Sequence, residues 1–301
     1  MKKDLLNNIK DNDTIYHYTK AATAIDYILF NQELRFSRTL NSSDPIESKR
    51  AKRSTAYFGN ETNVRQNKQH HDAVNELHKF VDDLENRFHQ ICFCKNSVDN
   101  DDSINQLQGN EELFGFTKLR MWDQYADNFS GVCIAFSKEK ISSLNKEKFD
   151  LTIEEIEYLK FQDLSTAKIG NIQGNHLNKV GVTIYKEQLK EQLLNSLFCK
   201  HIDYSGENEL RFGTFHKDNK CSMDIIRDEF VFNQSMMLDI TDCIQAIFVS
   251  SFANKKQRED LLNYAKKLKV DLFEMKWQHD SFELLDCKKE EEFWKGINLS
   301  K

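Results

Sequence analysis

The chain has 301 residues, 39% of them hydrophobic and 11% aromatic, which is enough apolar material for a core built largely from rings. Its formal net charge of −6 argues against the broad basic face that duplex nucleic acid normally requires. No apolar stretch approaches the roughly 20 residues of a membrane-spanning helix, and the N-terminus does not resemble a secretory signal. We therefore expect a cytoplasmic protein that does not associate with a membrane.

Seven cysteines occur at irregular spacing, which does not fit a disulfide framework. Cys92 and Cys94 are one residue apart, and no second pair follows at the spacing of a structural zinc site. The histidines lack partners at metal-ligand spacing as well, so we predict no metal. Because alternate residues of a strand share a face, the two cysteines are interpreted as small buried side chains.

The predicted secondary structure mixes strands and helices without a regular βαβ alternation, which favours an α+β fold with a mixed central sheet. Strands are predicted at residues 14–18, 34–37, 90–94, 131–136, 212–215 and 245–250. Helices are predicted at residues 19–29 with Thr19 as the N-cap, 64–90, 121–126, 154–164, 183–197 and 254–268. A single proline and the absence of a Gly/Ser-rich linker favour one domain over residues 1–301, with a helical insertion at about 59–89. With only 10 glycines, the chain has neither a P-loop nor a dinucleotide-binding fingerprint.

His17 lies between two tyrosines in the first predicted strand, within Tyr16-His17-Tyr18-Thr19. The pleat directs His17 and Thr19 to one face of the strand and the two tyrosines to the other. A histidine that faces a cleft can bind a ligand hydroxyl or carbonyl through one ring nitrogen while the backbone holds the other. The alternative is a histidine that completes a hydrogen-bond network in the core, and the strand alone favours this alternative.

Two further patterns carry side chains that could contact a ligand. Met121-Trp122-x-x-Tyr125 places Met121 and Tyr125 on one helical face. Such aromatic stripes usually belong to a core, but on the wall of a cleft Trp122 or Tyr125 could stack on a ligand ring. Asp44 and Glu47 lie in a polar loop and could share a ligand, although solvated loop charge is the favoured interpretation.

The segment Tyr204–Phe212 is the most informative local pattern. If it is extended, Glu207, Glu209 and Arg211 share one face and apolar residues occupy the other. Two carboxylates and a guanidinium can orient a ribose hydroxyl and stabilise positive charge that develops at an anomeric carbon. The alternative is an ion pair across a solvated sheet face, which contributes little to stability. The pattern is compatible with both.

Six segments form an ordered series between residues 14 and 250. They are Tyr16-His17-Tyr18-Thr19, Leu34-Arg35-Phe36-Ser37, Asn41 with Asp44-Pro45-x-Glu47, Ile91-Cys92-Phe93-Cys94, Met121-Trp122-x-x-Tyr125 followed by the strand at 131–136, and Glu207-x-Glu209-x-Arg211. In this order they resemble the bacterial domain-of-unknown-function family 2971. The chain departs from that family at Cys94, where the family has a serine, and in its longer insertion at 59–89.

An opening strand with a histidine, followed by a helix and a short strand, also resembles ADP-ribosyltransferases, including DNA-modifying enzymes and RNA 2′-phosphotransferases. This resemblance implies that NAD is a substrate, that His17 binds its ribose and nicotinamide end, and that Glu209 is the catalytic glutamate. The other residues that it assigns are Glu207 on the acceptor side, Tyr125 beside the nicotinamide ring, Arg35 at the pyrophosphate, and Tyr18, Thr19 and Arg211 as further NAD contacts.

Three functions follow as expectations. The resemblance implies transfer of ADP-ribose from NAD to a nucleic acid or protein, in a toxin or phage-defence effector. The first alternative is a non-catalytic sensor module of a defence system, in which the same cleft binds a nucleotide or a partner protein. The second is an RNA-handling enzyme with His17 as an acid or base, for which the sequence identifies no second acid–base group.

Overall fold

The computed structural model describes residues 9, 13–39, 42, 44–49, 54–56, 68–97, 111–167, 171–216 and 236–288. Asn41, residues 59–67 of the predicted insertion and residues 98–110 lie outside the described residues. The described strands are β1 (Thr14–Thr19), β2 (Glu33–Arg35), β3 (Ser37–Arg38), β4 (Ser54–Ala56), β5 (Phe88–Lys95), β6 (Val132–Ser137), β7 (Thr152–Glu155), β8 (Glu157–Leu159), β9 (Asn171–Gln173), β10 (Cys199–His201), β11 (Glu209–Phe215), β12 (Met237–Asp239), β13 (Ile244–Ser250), β14 (Asp271–Trp277) and β15 (Phe282–Asp286).

The helix α1 runs through Ala21–Thr23, a π-helical turn at Ala24–Ile28, and Leu29–Asn31. The other described α-helices are α2 (Pro45–Ser48), α3 (Lys68–Arg87), α4 (Leu119–Gln124), α5 (Lys138–Asn145), α6 (Phe161–Ala167), α7 (Gly174–Leu197) and α8 (Lys255–Leu268). Short 3₁₀ segments lie at Glu111–Leu113, Gly115–Thr117 and Ile202–Glu207. None of the helices in these ranges combines the length and the apolar character needed to cross a membrane.

Nine of the described strands form one mixed sheet. Their order is β15-β14-β13-β6-β1-β5-β11-β7, with β3 paired to β5 alongside β1. Neighbouring strands are antiparallel except β13 and β14, which are parallel because α8 carries the chain back across the sheet between them. A mixed sheet combined with helices outside any regular alternation confirms the predicted α+β fold class.

Both faces of the sheet are covered, which explains the continuous apolar run of β6. Val132, Ile134 and Phe136 point to one face, where residues of α1, α5 and α8 pack against them. Cys133 and Ala135 point to the other face, beneath the aromatic residues in and around α4. A third cluster lies between α3 and α7, so the predicted helical insertion packs against α7, whose helical backbone is kinked at Gly181.

Several predicted elements are confirmed. The strands expected at 14–18, 90–94, 131–136, 212–215 and 245–250 are β1, β5, β6, β11 and β13, and the helices expected at 183–197 and 254–268 are α7 and α8. Within the described residues, α3 confirms the long amphipathic helix, whose apolar side faces α7. Because these elements are long or strongly periodic, their local pattern agrees with their packing.

Three local predictions are wrong. The helix expected at 154–164 is instead the end of β7, β8 and the start of α6, because residues 154–155 pair with β11 and residues 157–159 pair with β10. Thr19 does not cap α1: it is the last residue of β1, and Lys20 precedes the helix without a side-chain cap. The strand expected at 34–37 is interrupted at Phe36, because β2 pairs with β12 and β3 pairs with β5.

Candidate functional site

The central sheet has an opening along one edge of β5, at the middle of that strand. One edge of β5 is occupied by β11 along most of its length. The other edge is shared by β1, which pairs with the C-terminal end of β5, and by β3, which pairs with Gln90 and His89. Residues 91–93 therefore have no described strand beside them on that edge. β1 leaves β5 at His17, which pairs with β6 alone.

A cavity of about 220 Å³ occupies this opening. Its polar, sulfur-containing and aromatic lining side chains include His17, Arg35, Arg38, Glu47, Cys92, Met121, Tyr125, Lys200, Glu207 and Glu209. The fold thus brings together residues that are separated by up to about 190 positions in the chain. Among the residues that the structure describes, no three His, Cys, Asp or Glu side chains are arranged so that they could hold a metal ion.

His17 is fixed by the backbone at the point where the strands separate. Its Nδ1 lies 3.1 Å from the carbonyl oxygen of Cys92, and its ring meets Phe93 edge-on at 5.8 Å. A carbonyl only accepts, so Nδ1 carries the hydrogen. Burial lowers the pKa of His17, which favours the neutral ring. Nε2 is then a hydrogen-bond acceptor on a ring that lines the cavity.

Two glutamates in the cavity wall are held by one lysine. Lys200 Nζ lies 2.8 Å from Glu207 Oε2 and 2.7 Å from Glu209 Oε2, and all three side chains are at most 4% exposed. The hydroxyl of Tyr125 donates to Glu207 Oε1 at 3.2 Å. Buried charges are costly unless they are paired and hydrogen-bonded. Lys200, Glu207 and Glu209 can therefore be buried as charged groups only together.

Arg211 completes the cluster on the other side of Glu209. Its Nε donates to Glu209 Oε1 at 2.8 Å, its Nη2 donates to Glu47 Oε1 at 2.6 Å, and its Nη1 donates to the carbonyl of Leu197. Arg211 is 1% exposed. The second oxygen of Glu47 accepts from Ser42 Oγ at 2.8 Å. The guanidinium thus ties α2 to β11 and to the end of α7.

The pKa values of the two glutamates are pushed in opposite directions. Burial alone would raise the pKa of Glu209, but the charges of Arg211 and Lys200 outweigh it and lower the pKa to about 2. Burial raises the pKa of Glu207 in spite of the opposing charge of Lys200. Neighbouring carboxylates with separated pKa values can divide the roles of charge stabilisation and proton transfer.

Tyr125 follows directly on α4 and precedes a left-handed turn. Residues 127–129 have φ angles of 53°, 52° and 66°, a conformation that costs roughly 1–2 kcal/mol per residue. Gly131 is required after this turn, because a Cβ there would lie 2.4 Å from the carbonyl oxygen of Thr19. The fold therefore accepts local strain in the segment that connects Tyr125 to β6.

The other residues expected to contact NAD occupy different positions. Tyr18 lines the cavity, but its hydroxyl donates to the carbonyl of Gly115 at 2.6 Å. Thr19 pairs with β6 and is not part of the lining. Arg35 is exposed and lines the cavity from β2. Arg211 lies beside Glu209, and each of its three guanidinium nitrogens donates a hydrogen bond within the protein, so we assign it to holding that carboxylate.

The segment from Tyr204 to Phe212 is only partly extended, in contrast to the prediction. The 3₁₀ segment ends at Glu207, Asn208 is left-handed with a φ of 46°, and β11 begins at Glu209. Although Glu207 lies outside β11, its carboxylate joins the cluster by accepting a hydrogen bond from Lys200. From β11 onward the prediction is correct: Glu209 forms an ion pair with Arg211, and the alternating residues Leu210 and Phe212 face the core.

Lys200 is not predicted as a site residue from the sequence, and the loop that carries Asp44 and Glu47 is predicted incorrectly. A lysine in a short segment between a helix and a turn carries no signal of burial, and its two partners are seven and nine residues away. The interpretation of Asp44 and Glu47 as solvated charge is wrong: the side chain of Glu47 is 6% exposed, and Asp44 is buried and caps α2 by accepting from the Ile46 amide. Both cysteines line the cavity. Cys94 is buried as expected, whereas Cys92 is partly exposed and its thiol donates a hydrogen bond to Glu209.

The fold and the cavity define an α+β protein whose central sheet opens onto a wall of paired carboxylates. Residues 121–212 match the family model described as "Protein of unknown function (DUF2971)". The matched segment includes Tyr125, Lys200, Glu207, Glu209 and Arg211, and it supports the family resemblance over part of the expected range. No curated protein and no solved structure matches the chain significantly, so the likeness to ADP-ribosyltransferases gains no support from these comparisons.

Proposed function

We propose that the cavity binds NAD and that the protein transfers ADP-ribose from NAD to a nucleic acid or protein. The observation that carries this proposal is the pair Glu207 and Glu209, whose pKa values are pushed apart in the wall of a cavity that His17 also lines. Cleavage at an anomeric carbon needs an ionised carboxylate near the developing positive charge and a second group that accepts a proton.

In the proposed reaction, the bond between the ribose C1′ and the nicotinamide nitrogen breaks, and its electron pair leaves with nicotinamide, which becomes neutral. The ionised carboxylate of Glu209 stabilises the positive charge that develops on the ribose. A nucleophile of the acceptor then bonds to C1′, and Glu207 takes its proton. Modification of a macromolecule in this way is the activity that the resemblance implies for a toxin or phage-defence effector.

The distribution of charge along the cavity matches the two ends of NAD. Arg35 and Arg38 line the cavity from β2 and β3, whereas Glu207 and Glu209 lie in its buried wall. The nicotinamide ring of NAD is cationic and its pyrophosphate is anionic. A volume of about 220 Å³ is below the roughly 300–1,000 Å³ of sites that enclose a whole small molecule. We therefore place the nicotinamide riboside end inside and the pyrophosphate over the arginines.

The direct test is to incubate the pure protein with NAD and to measure nicotinamide by chromatography. We expect release of nicotinamide, with free ADP-ribose formed when water is the acceptor. Heat-denatured protein is the control for spontaneous hydrolysis. If NAD neither binds nor is cleaved across a range of candidate nucleic acid and protein acceptors, the proposal is wrong.

Replacing His17 with phenylalanine is expected to weaken NAD binding about 10-fold to 100-fold. Phenylalanine keeps a ring of similar size against Phe93 but removes the acceptor nitrogen, and an unmade hydrogen bond of this kind costs about 1–3 kcal/mol. The dissociation constant is measured by calorimetry with the wild type and the variant. His279→Phe, at an exposed position outside the cavity lining, is the matched control and should leave the constant unchanged. Equal affinities for all three proteins would contradict the role of His17.

One observation favours a second candidate function, the non-catalytic binding module. Both oxygens of Glu209 are engaged by cations, Oε1 by Arg211 and Oε2 by Lys200, as in a purely structural ion-pair cluster. In such a module, NAD or another nucleotide would raise the melting temperature of the protein without being consumed. Thermal stabilisation by NAD with no nicotinamide release would therefore favour the sensor function.

A further inference from the structure

Lys200 occupies a position that the proposed reaction does not by itself explain. It lies on β10, a short strand outside the main sheet that pairs in parallel with β8. Its ammonium group nevertheless reaches the cavity wall and contacts carboxylates from two different elements, Glu207 in the 3₁₀ segment and Glu209 in β11. A lysine side chain with 4% exposure at a cavity wall is unusual, because an ammonium group is strongly hydrated.

The cluster around Lys200 carries an excess of negative charge. Glu47, Glu207 and Glu209 supply three carboxylates, whereas Lys200 and Arg211 supply two cations. The guanidinium of Arg211 contacts Glu47 and Glu209 but not Glu207. Lys200 is therefore the only ion-pair partner of Glu207 among the described residues, and it is the only cation that contacts both members of the carboxylate pair.

We infer that Lys200 is a positioning residue, which holds Glu207 and Glu209 at one point of the cavity wall and supplies the charge that allows both to be buried there. The ammonium has three donors in a tetrahedral arrangement, so it can bond two carboxylates that approach from different directions. In doing so it brings an oxygen of each glutamate within 3 Å of one atom. The role in catalysis rests on the proposed function, whereas the electrostatic role does not.

The charge of Lys200 also affects the proton affinity of both glutamates. A nearby positive charge lowers the pKa of a carboxyl group, so removal of the charge raises it. The other titratable or charged groups that interact with Lys200 or with either glutamate are Glu47 from α2, Cys92 and Cys94 from β5, Tyr125 after α4, Tyr158 from β8, Tyr204 from the 3₁₀ segment and Arg211 from β11. Of these, only Arg211 is a cation, and it remains in place when Lys200 is replaced.

The test compares Lys200→Gln with Lys200→Arg by ¹³C NMR of labelled glutamate carboxylates, assigned through Glu207→Gln and Glu209→Gln. The glutamine removes the charge and keeps hydrogen-bonding capacity, so both carboxylates should titrate at least about one pH unit higher than in the wild type. The arginine keeps the charge and should leave the titrations close to those of the wild type. Lys186→Gln, which breaks the more exposed ion pair with Glu76, is the matched control and should have no effect.

A kinetic measurement separates this inference from the proposed function. If the wild type cleaves NAD, we expect Lys200→Gln to reduce kcat at least about 100-fold, to change KM little, and to move the acidic limb of the pH–rate profile to higher pH. If the wild type does not cleave NAD, the proposed function fails, and the NMR titrations still decide the electrostatic role. Unchanged titrations in Lys200→Gln would overturn the inference.

The wild type provides a measurement that does not depend on the folding of any variant. The ¹⁵Nζ resonance of Lys200 should shift with pH at the same midpoint as the ¹³C resonance of the Glu207 carboxylate, because the two groups share a hydrogen bond. A lysine resonance that is insensitive to this titration would overturn the inference even if Lys200→Gln failed to fold.

Discussion

Replacing Arg211 with methionine is expected to lower the free energy of unfolding by about 3–5 kcal/mol, the largest stability effect that we expect from a single substitution in this protein. Methionine fills much of the same volume but leaves Glu47 buried without its cation and the Leu197 carbonyl without its donor. Of its two cationic partners, Glu209 would keep Lys200. The cost arises because the carboxylates remain buried with less positive charge to compensate them.

Urea unfolding followed by circular dichroism measures this effect. The matched control is Arg258→Met, which removes a guanidinium that lies 2.6 Å from Glu274 but is 39% exposed. An ion pair with such exposure contributes about 0–1 kcal/mol. If the two variants lost similar free energies of unfolding, burial would not be the reason why Arg211 stabilises the protein.

The ion pairs of Arg211 and Lys200 also explain why the site is only partly predictable from the sequence. Glu209 and Arg211 were paired correctly because alternation along a strand is a local property. The burial of Lys200 and Glu47 has no such local signal, because it results from tertiary contacts of β10 and α2 with the residues around β11. A charged residue in a loop normally lies in water, and only the tertiary structure shows the exceptions.

In the fold as well, local patterns are predictable from the sequence and tertiary arrangements are not. β6 and β13 were predictable because strands that are buried on both faces are continuously apolar. The spacing at 154–164 predicts a helix, whereas the segment forms the end of β7 beside β11, β8 beside β10 and the start of α6. Above all, no local pattern indicates that β1 and β3 would share one edge of β5. The opening between them, and therefore the cavity beside His17, is a property of the topology.

Replacing Glu209 with glutamine is expected to reduce the kcat for nicotinamide release at least about 1,000-fold, which corresponds to about 4 kcal/mol of lost transition-state stabilisation. Glutamine keeps the shape of the side chain but not the negative charge that the proposed oxocarbenium-like transition state requires. The variant should fold, because the ion pairs Lys200–Glu207 and Arg211–Glu47 remain in place. Far-ultraviolet circular dichroism and the melting temperature would establish this before the kinetics are compared.

The binding of NAD separates the two proposed functions in this variant. An interaction made mainly in the transition state lowers kcat and leaves the dissociation constant of NAD within a few-fold of the wild type. Glu155→Gln is the matched control, because Glu155 also pairs with a lysine, Lys95 at 2.5 Å, but is 64% exposed at the edge of the sheet. If folded Glu209→Gln released nicotinamide at the wild-type rate, Glu209 would not be the catalytic carboxylate, and the cluster would be a structural feature of a binding module.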